Sequence, residues 1–482
     1  MPRRTKIVAT LGPATDGAGV TEALFYAGVD LVRLNLSHDA HERHRARAAR
    51  IRDLALAGRR EVAVLVDLQG PKIRIGRFAE GAVELRSGQA FHLDAGCPLD
   101  AGDGGRVGVT YAELASDVAP GDTLLLDDGA IELRVEEVRG DCICCRVAIG
   151  GRLSDNKGIN KKGGGLSAPA LTAKDRNDIR FAAEIQADYV AVSFVRNADD
   201  VRIAREIFQE AGGQGGIVAK IERAEALRGI DDIIMAADAI MIARGDLGVE
   251  IGDAELPAVQ KQVISKARAM NSVAITATQM MQSMIESPFP TRAEVFDVAN
   301  AVLDGTDAVM LSAETSVGRN PVKVVEAMHR ICLQAETHSA ARRSGHRIDS
   351  VFGRVDEAIA MAAMYTANHL GVKAIAALTE SGSTVKWMSR ISSGIPIYAL
   401  TRHAATRRKV TLFRGVYPIC FDVASTDIHE VNREVIEELI GRGALLDGDL
   451  AIVTKGDRSA IEGQTNIMKI MRVGDHAFLN ED

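Results

Sequence analysis

Short β-branched runs recur along this chain with amphipathic helical stretches between them, and that alternation leaves few folds open. The runs are KIVATLG, DLVRLNLSH, EVAVLVDLQ, DYVAVSFV, GIVAKIE, AIMIARGDLG, SVAITATQM and DAVMLSAET. Between them, apolar residues at the helical period predict helices over Ala40–Ala57, Ala173–Ile185, Ala198–Ala211, Leu256–Asn271, Arg292–Leu303 and Pro321–Glu336. Strands that alternate with helices pair in parallel, because each crossover returns the chain to the same end of the sheet. Eight such units predict a closed (β/α)8 barrel rather than an open sheet. No G-x-G-x-x-G follows the first run, which argues against a dinucleotide fold.

The rhythm breaks after the third run. From about Pro71 to Pro169 the helical period gives way to short alternating runs (AVELRSG, AFHLDAG, DTLLLDDGAIELRVEEV, CICCRVAIG) separated by turn residues. This predicts a small β-barrel or sandwich inserted in a βα loop, at the rim where a barrel keeps its active site, and so a lid. The glycine-rich, basic stretch RLSDNKGINKKGGGLSAPALTAKD closes it as a hinge. After about Gly345 a helix (DEAIAMAAMYTANHL) and the runs AIAALTESGST, IPIYALT, GVYPICF and DLAIVTKGD, with a helix from Ile428 to Arg442, predict a further α/β unit. The expected domains are thus 1–70 with 170–345 (barrel), 71–169 (lid) and 346–482 (C-terminal α/β).

Polar residues crowd the C-terminal ends of the predicted barrel strands. The second ends in Arg33, Asn35, Ser37 and His38, the third in Asp67, the fifth in Lys220 and Glu222. The sixth ends in Arg244, Gly245 and Asp246, the seventh in Thr276 and Thr278, the eighth in Ser312 and Glu314. Lys220 and Glu222, two apart in a strand, share one face of the pleat. Alone they read as a surface salt bridge. With Asp246 on a glycine-flanked turn beside them, they read as a site for Mg²⁺ or Mn²⁺, which prefer hard oxygen ligands. Arg33, Arg74 and Lys220 are phosphate-binding types, and the backbone N–H groups of Gly245 and Asp246 suit an anion. The combination predicts metal-assisted phosphoryl transfer on an anionic substrate.

Composition narrows the partners. A net charge of −7 gives no case for nucleic acid or an anionic membrane, and no apolar run has the length of a membrane span. The start, MPRRTKIVATLGPAT, lacks the apolar region of a signal peptide. The six cysteines (97, 142, 144, 145, 332 and 420) lack paired zinc-ligand spacing. For the three in DCICCRVAIG, strand packing is the expectation. A reducing cytoplasm fits.

Along essentially its whole length the chain resembles the pyruvate kinases. The strings that carry the resemblance are KIVATLGPAT, GVDLVRLNLSH, DLQGPKIR, AVSFVR, VAKIE, IMIARGDLGVEI, TATQMMQSM, PFPTRAEVFDVANAVLDGTDAVMLSAET and the late run Thr465–Lys469. The resemblance implies that Lys220 sits against the transferring phosphoryl group and that Arg33 binds the same phosphate. It implies that Glu222 and Asp246 hold the divalent metal, and that Gly245, Asp246 and Thr278 hold the carboxylate of phosphoenolpyruvate. Arg74, His38, Asn35 and Lys157 would face ADP. A water relay near Thr278, Ser312 and Glu314 would protonate the enolate carbon, the donor among them being left open. A homotetramer is implied as well.

One departure from the family is informative. Members that need K⁺ usually read Asp-Thr-Lys-Gly-Pro-Glu-Ile-Arg-Thr in the third strand, where this chain reads Asp67-Leu68-Gln69-Gly70-Pro71-Lys72-Ile73-Arg74-Ile75. An ammonium at Lys72, near a pocket of Asn35, Ser37, Asp67 and the Leu68 carbonyl, would replace the bound ion, so K⁺ is expected not to be required. The plain alternative is a solvent-facing lysine with K⁺ still bound. In the C-terminal unit, Thr379, Ser381, Gly382, Ser383 and Thr384 read either as ordinary helix capping or as a phosphate cradle. The resemblance favours a phosphorylated allosteric effector there, with the loop Gly456–Thr465 closing over it. Two competing readings are a phosphoenolpyruvate- or pyruvate-handling lyase or aldolase, which has no use for Arg74, Lys157 or a lid, and a non-catalytic sensor. The sensor conflicts with the presence of Lys220, Glu222, Asp246 and Thr278 together.

Overall fold

The predicted strands meet edge to edge. A computed structural model describes residues 2–342, 351–423, 428–456 and 463–474. In it the barrel strands are β1 (Lys6–Leu11), β2 (Leu31–Asn35), β3 (Ala63–Asp67), β4 (Tyr189–Val192), β5 (Gly216–Ile221), β6 (Ala239–Ala243), β7 (Val273–Ala277) and β8 (Ala308–Leu311). They close into one parallel barrel, each paired with its chain neighbour and β8 with β1. Almost every strand residue is buried, as expected where helices cover one face and side chains fill the interior. The outward-facing residues, Ile7, Val64, Ile217 and Ile240 among them, pack on helix residues such as Phe25, Ile51, Val263 and Val324.

Each of the six helices expected from periodicity is present within a residue or two of its predicted ends. The helix at Val20–Ala27 is additional, too short to show the helical period clearly, and a short helix, Ile230–Ala236, joins β5 to β6. One local expectation needs correction. Asp246 does not stand on a turn: Arg244–Ile251 is a helix that starts directly where β6 ends. Gly245 and Gly248 lower its propensity by about 1 kcal/mol each. Fully buried Leu247 holds it to the barrel instead.

The inserted segment, expected as a small β-barrel or sandwich, is all β. Its hydrogen bonding is that of a six-stranded and a two-stranded sheet around one apolar core that includes Phe91, Leu124, Leu133 and Val147. Isolated bridges at Arg74–Gly158, Ile75–Val109 and Phe78–Gly102 add to these ladders. The segment leaves the barrel at Gly70, whose φ of +68° and tight approach to Ser193 and Phe194 exclude a side chain.

The C-terminal unit is a five-stranded sheet, parallel except for its last strand, Ile467–Arg472. It docks at the N-terminal ends of the barrel strands, the end opposite the polar cluster. Lys6 Nζ donates to the Val416 carbonyl at 2.6 Å, and Tyr189 Oη donates to that of Lys409 at 2.6 Å. The Arg390 guanidinium grips the Asp307 carboxylate with both residues 1% exposed, a buried pair whose breaking would leave an uncompensated charge. Among the described residues no helix is long and apolar enough to cross a membrane.

Candidate active site

Register places the polar ends of β2, β3 and β5 together. Asn35 lies opposite Asp67 in the β2–β3 ladder, with Arg33 one turn of the pleat behind it. From there Arg33 Nε reaches Asp67 Oδ2 at 2.6 Å, and Lys220 Nζ stands 3.2 Å from Asp67 Oδ1 and 2.9 Å from Glu222 Oε1. Lys220 also donates to Ser193 Oγ at 2.6 Å, which donates in turn to the Leu68 carbonyl at 2.7 Å. Glu222 Oε2 accepts the Phe194 N–H at 2.8 Å. Ser193 is thus a member of the cluster that the list of strand-end residues passed over. Its signal was its place at the end of β4, obscured because serine is common at any loop start.

The electrostatics of this cluster are lopsided. Burial pushes the Asp67 carboxyl up, but Arg33 and Lys220 overcome it and hold the group below the usual carboxylate range. Burial likewise works against the Lys220 ammonium, and Asp67 with Glu222 more than restores it. Glu222 ends above its usual range: burial and the nearby Asp246 outweigh the help from Lys220. Three carboxylates therefore share two cationic side chains. The excess negative charge, carried on hard oxygens at Glu222 and half-buried Asp246, fits a divalent cation between them.

Thr278 follows β7 with φ +66°, a left-handed backbone that a β-branched residue rarely adopts. The conformation aims its hydroxyl at the start of the Arg244–Ile251 helix, where Oγ1 accepts the Gly245 N–H at 2.8 Å and donates to the Ala277 carbonyl at 2.6 Å. Arg244 braces the same turn from beneath, 2.7 Å from the Thr278 carbonyl and 2.7 Å from Asp297. Asp246 lies in the first turn of the Arg244–Ile251 helix, where its negative charge suits the helix dipole. At the end of β8, Glu314 is buried and used as an anchor, accepting the Ser312 N–H at 2.6 Å and the Met281 N–H at 3.2 Å. The Ser312 hydroxyl is buried without a hydrogen-bond partner.

The remaining expected residues fall into three groups. Arg74 and Lys157 come together on the lid: Arg74 Nη1 donates to the Asn156 carbonyl at 2.7 Å and Lys157 pairs with Asp127 at 2.7 Å. Exposed His38 and Ser37 and half-buried Asn35 lie on the barrel rim, where Asn35 Oδ1 accepts the Ser37 N–H at 3.2 Å. Lys72 forms no ion pair with Asp67, whose partners are Arg33 and Lys220. Its stem passes over Gly158, and it lines a cleft between lid and barrel with Phe194, Arg223, Asp246 and Glu250.

In the C-terminal unit, Gly382 (φ +83°) turns the chain into the helix Ser383–Ser389 and donates its N–H to Thr379 Oγ1 at 3.0 Å. Ser381 and Ser383 hydroxyls lie 2.9 Å apart, and Thr384 Oγ1 meets Thr465 Oγ1 at 2.7 Å. Ser381 opens onto a cavity of about 460 Å³ whose basic lining is Arg408 and Lys409. Of the loop expected to close over it, residues 457–462 lie outside the described residues.

Comparison with known proteins identifies the family. The family model "Pyruvate kinase, barrel domain" matches residues 2–325, and "Pyruvate kinase, alpha/beta domain" matches residues 357–471. The chain is 54% identical over 475 residues to pyruvate kinase II of Salmonella typhimurium, covering 98% of this chain and 99% of that protein. It is 50% identical to a pyruvate kinase of Haemophilus influenzae and 42% identical to one of Mycobacterium tuberculosis, each over 98% of this chain and 99% of the relative. With matches of this extent over both the barrel and the C-terminal unit, the chain belongs to the pyruvate kinase family and is a phosphotransferase.

Proposed function

We propose that this enzyme transfers the phosphoryl group of phosphoenolpyruvate to ADP, giving pyruvate and ATP, with Mg²⁺ or Mn²⁺ and without a need for K⁺. The observation that carries the reading is the single buried cluster of Arg33, Asp67, Lys220 and Glu222, with Asp246 and Thr278 beside it. Arg33 and Lys220 bind the phosphate of phosphoenolpyruvate. Lys220, already fixed by Asp67, Ser193 and Glu222, neutralises charge as the phosphoryl group moves, without reorganising at that moment. Glu222 and Asp246 hold the divalent ion, which when bound draws charge from the substrate oxygens. The helix N-terminus at Gly245 and Asp246 and the Thr278 hydroxyl hold the carboxylate. An ADP oxygen attacks phosphorus from the lid side, where Arg74 and Lys157 bind its phosphates, with His38 and Asn35 on the rim. Enolpyruvate leaves, and a water relay beside Thr278, Ser312 and Glu314 delivers a proton to its carbon.

Two finer points belong to the same proposal. Lys72, on the loop that follows Asp67, supplies the fixed positive charge that makes K⁺ dispensable. The Thr379–Thr384 loop, with the cavity beside it, binds a phosphorylated effector in a cytoplasmic homotetramer. ADP dependence separates the kinase from a lyase. Release of pyruvate from phosphoenolpyruvate should require ADP and yield one ATP per pyruvate. Pyruvate formed at an undiminished rate without ADP would overturn the reading.

A further inference from the structure

The outer face of the inserted sheet carries a second cluster that phosphoryl transfer does not use. The strand Ala90–Asp94 pairs antiparallel with Cys142–Ile149, and His92 stands directly opposite Cys144. Alternation sends Phe91, Leu93, Ile143 and Cys145 into the lid core, and leaves His92, Cys142 and Cys144 on the other face. One ring nitrogen of His92 and the two sulfurs all lie within 4.8 Å of one another, each residue partly exposed. The His92 Nδ1 atom is itself buried and has no hydrogen-bond partner. Arg139 stands opposite Cys142 in the neighbouring strand, and its guanidinium is paired with Glu137 at 2.6 Å. Burial, Cys144 and Asp94 push the Cys142 thiol up to about 11 against the weaker pull of Arg139, so a metal that binds here displaces the thiol proton.

We propose that His92, Cys142 and Cys144 form a binding site for a thiophilic d¹⁰ cation of the Zn²⁺ type on the outer face of the lid. Two sulfurs and an imidazole nitrogen are the donors that such an ion prefers, and they discriminate against Mg²⁺ and Ca²⁺, which take oxygen. Tetrahedral Zn²⁺, with bonds of about 2.3 Å to sulfur and 2.0 Å to nitrogen, holds its ligand atoms roughly 3.3–3.8 Å apart. Rotamer adjustments of these partly exposed side chains cover the difference. The three residues fill three positions and leave the fourth to water. A disulfide is the less favourable use of the same sulfurs. Residues two apart on one strand have Cα atoms about 6.6 Å apart, near the upper limit for that bond. A metal spans the gap without bending the strand, and it ties the Ala90–Asp94 strand to its neighbour through side chains as well as backbone.

The test uses the full-length reduced protein, freed of metal and then saturated with Mg²⁺ so that the Glu222–Asp246 oxygens are occupied. Titration with Co²⁺ should give one equivalent of sulfur-to-metal charge-transfer absorption per chain, and Zn²⁺ should displace it. The double variant Cys142→Ser/Cys144→Ser should lose this absorption while keeping the activity of the parent, which shows that it is folded. His92→Gln should weaken Co²⁺ binding by about tenfold or more. Cys420→Ser, on the C-terminal unit, should change neither. Absence of the absorption in the parent protein, or its persistence in the double variant, would overturn the proposal.

Discussion

The Lys220 ammonium and the Glu222 carboxylate stand 2.9 Å apart, yet the carboxyl stays above its usual range while the ammonium is held more firmly than usual. The asymmetry arises because Lys220 answers to Asp67 as well, whereas Glu222 also faces Asp246. Lys220 is therefore a fixed charge, and Glu222 is a carboxylate still short of positive charge. Replacing Lys220 with Gln should lower kcat by ~10²–10³ through loss of one preorganised electrostatic contact. ADP binding should persist, because Arg74 and Lys157 lie on the lid. Steady-state kinetics with both substrates varied checks this, and a variant with near-parental kcat would remove Lys220 from the chemistry.

Lys72 offers a reversible test of the monovalent-cation argument. Lys72 lines the cleft between lid and barrel together with Asp246, and the account has its charge act from that loop. Lys72→Glu should leave a weak enzyme whose rate rises several-fold on adding K⁺ at constant ionic strength. A variant as indifferent to K⁺ as the parent would assign the property to another residue.

Glu250 links the lid hinge to the barrel. Its carboxylate accepts the Ala224 N–H at 2.8 Å, and its backbone carbonyl accepts the Gly163 N–H at 2.9 Å. Burial raises the carboxyl to about 7 from an ordinary 4.5, with the Ala224 N–H only partly opposing the shift. A carboxyl raised by folding supports stability fully below its unfolded pKa, and that support is lost as pH rises through the folded value. The window is therefore between about 4.5 and 7. Glu250→Gln keeps an acceptor for Ala224 and removes the ionisation. Relative to the parent, it should gain on the order of 1–3 kcal/mol on going from about pH 4.5 to pH 8. Urea unfolding at both pH values checks this, and an equal difference at the two would contradict it.

Most of the fold can be read in the chain because its signals are local. Eight β-branched runs and the polar residues at their ends survive without any knowledge of tertiary contacts. What was illegible depended on contacts between distant segments. Gly245 and Gly248 argue for a turn, and only the packing of Leu247 shows that a helix wins. Ser193 becomes a site residue only once β4 and β5 are adjacent and Lys220 Nζ is 2.6 Å away. Cys142 and Cys144 look like ordinary strand residues until the register sets His92 opposite Cys144.

The most direct measurement is the initial rate of ADP-dependent pyruvate formation from phosphoenolpyruvate with Mg²⁺, in K⁺-free buffer and in K⁺ buffer of matched ionic strength. The account predicts comparable rates in the two buffers, with ATP and pyruvate formed one for one. A rate seen only with K⁺ would contradict the fixed-charge argument, and the absence of ADP-dependent pyruvate in either buffer would contradict the assignment of the site.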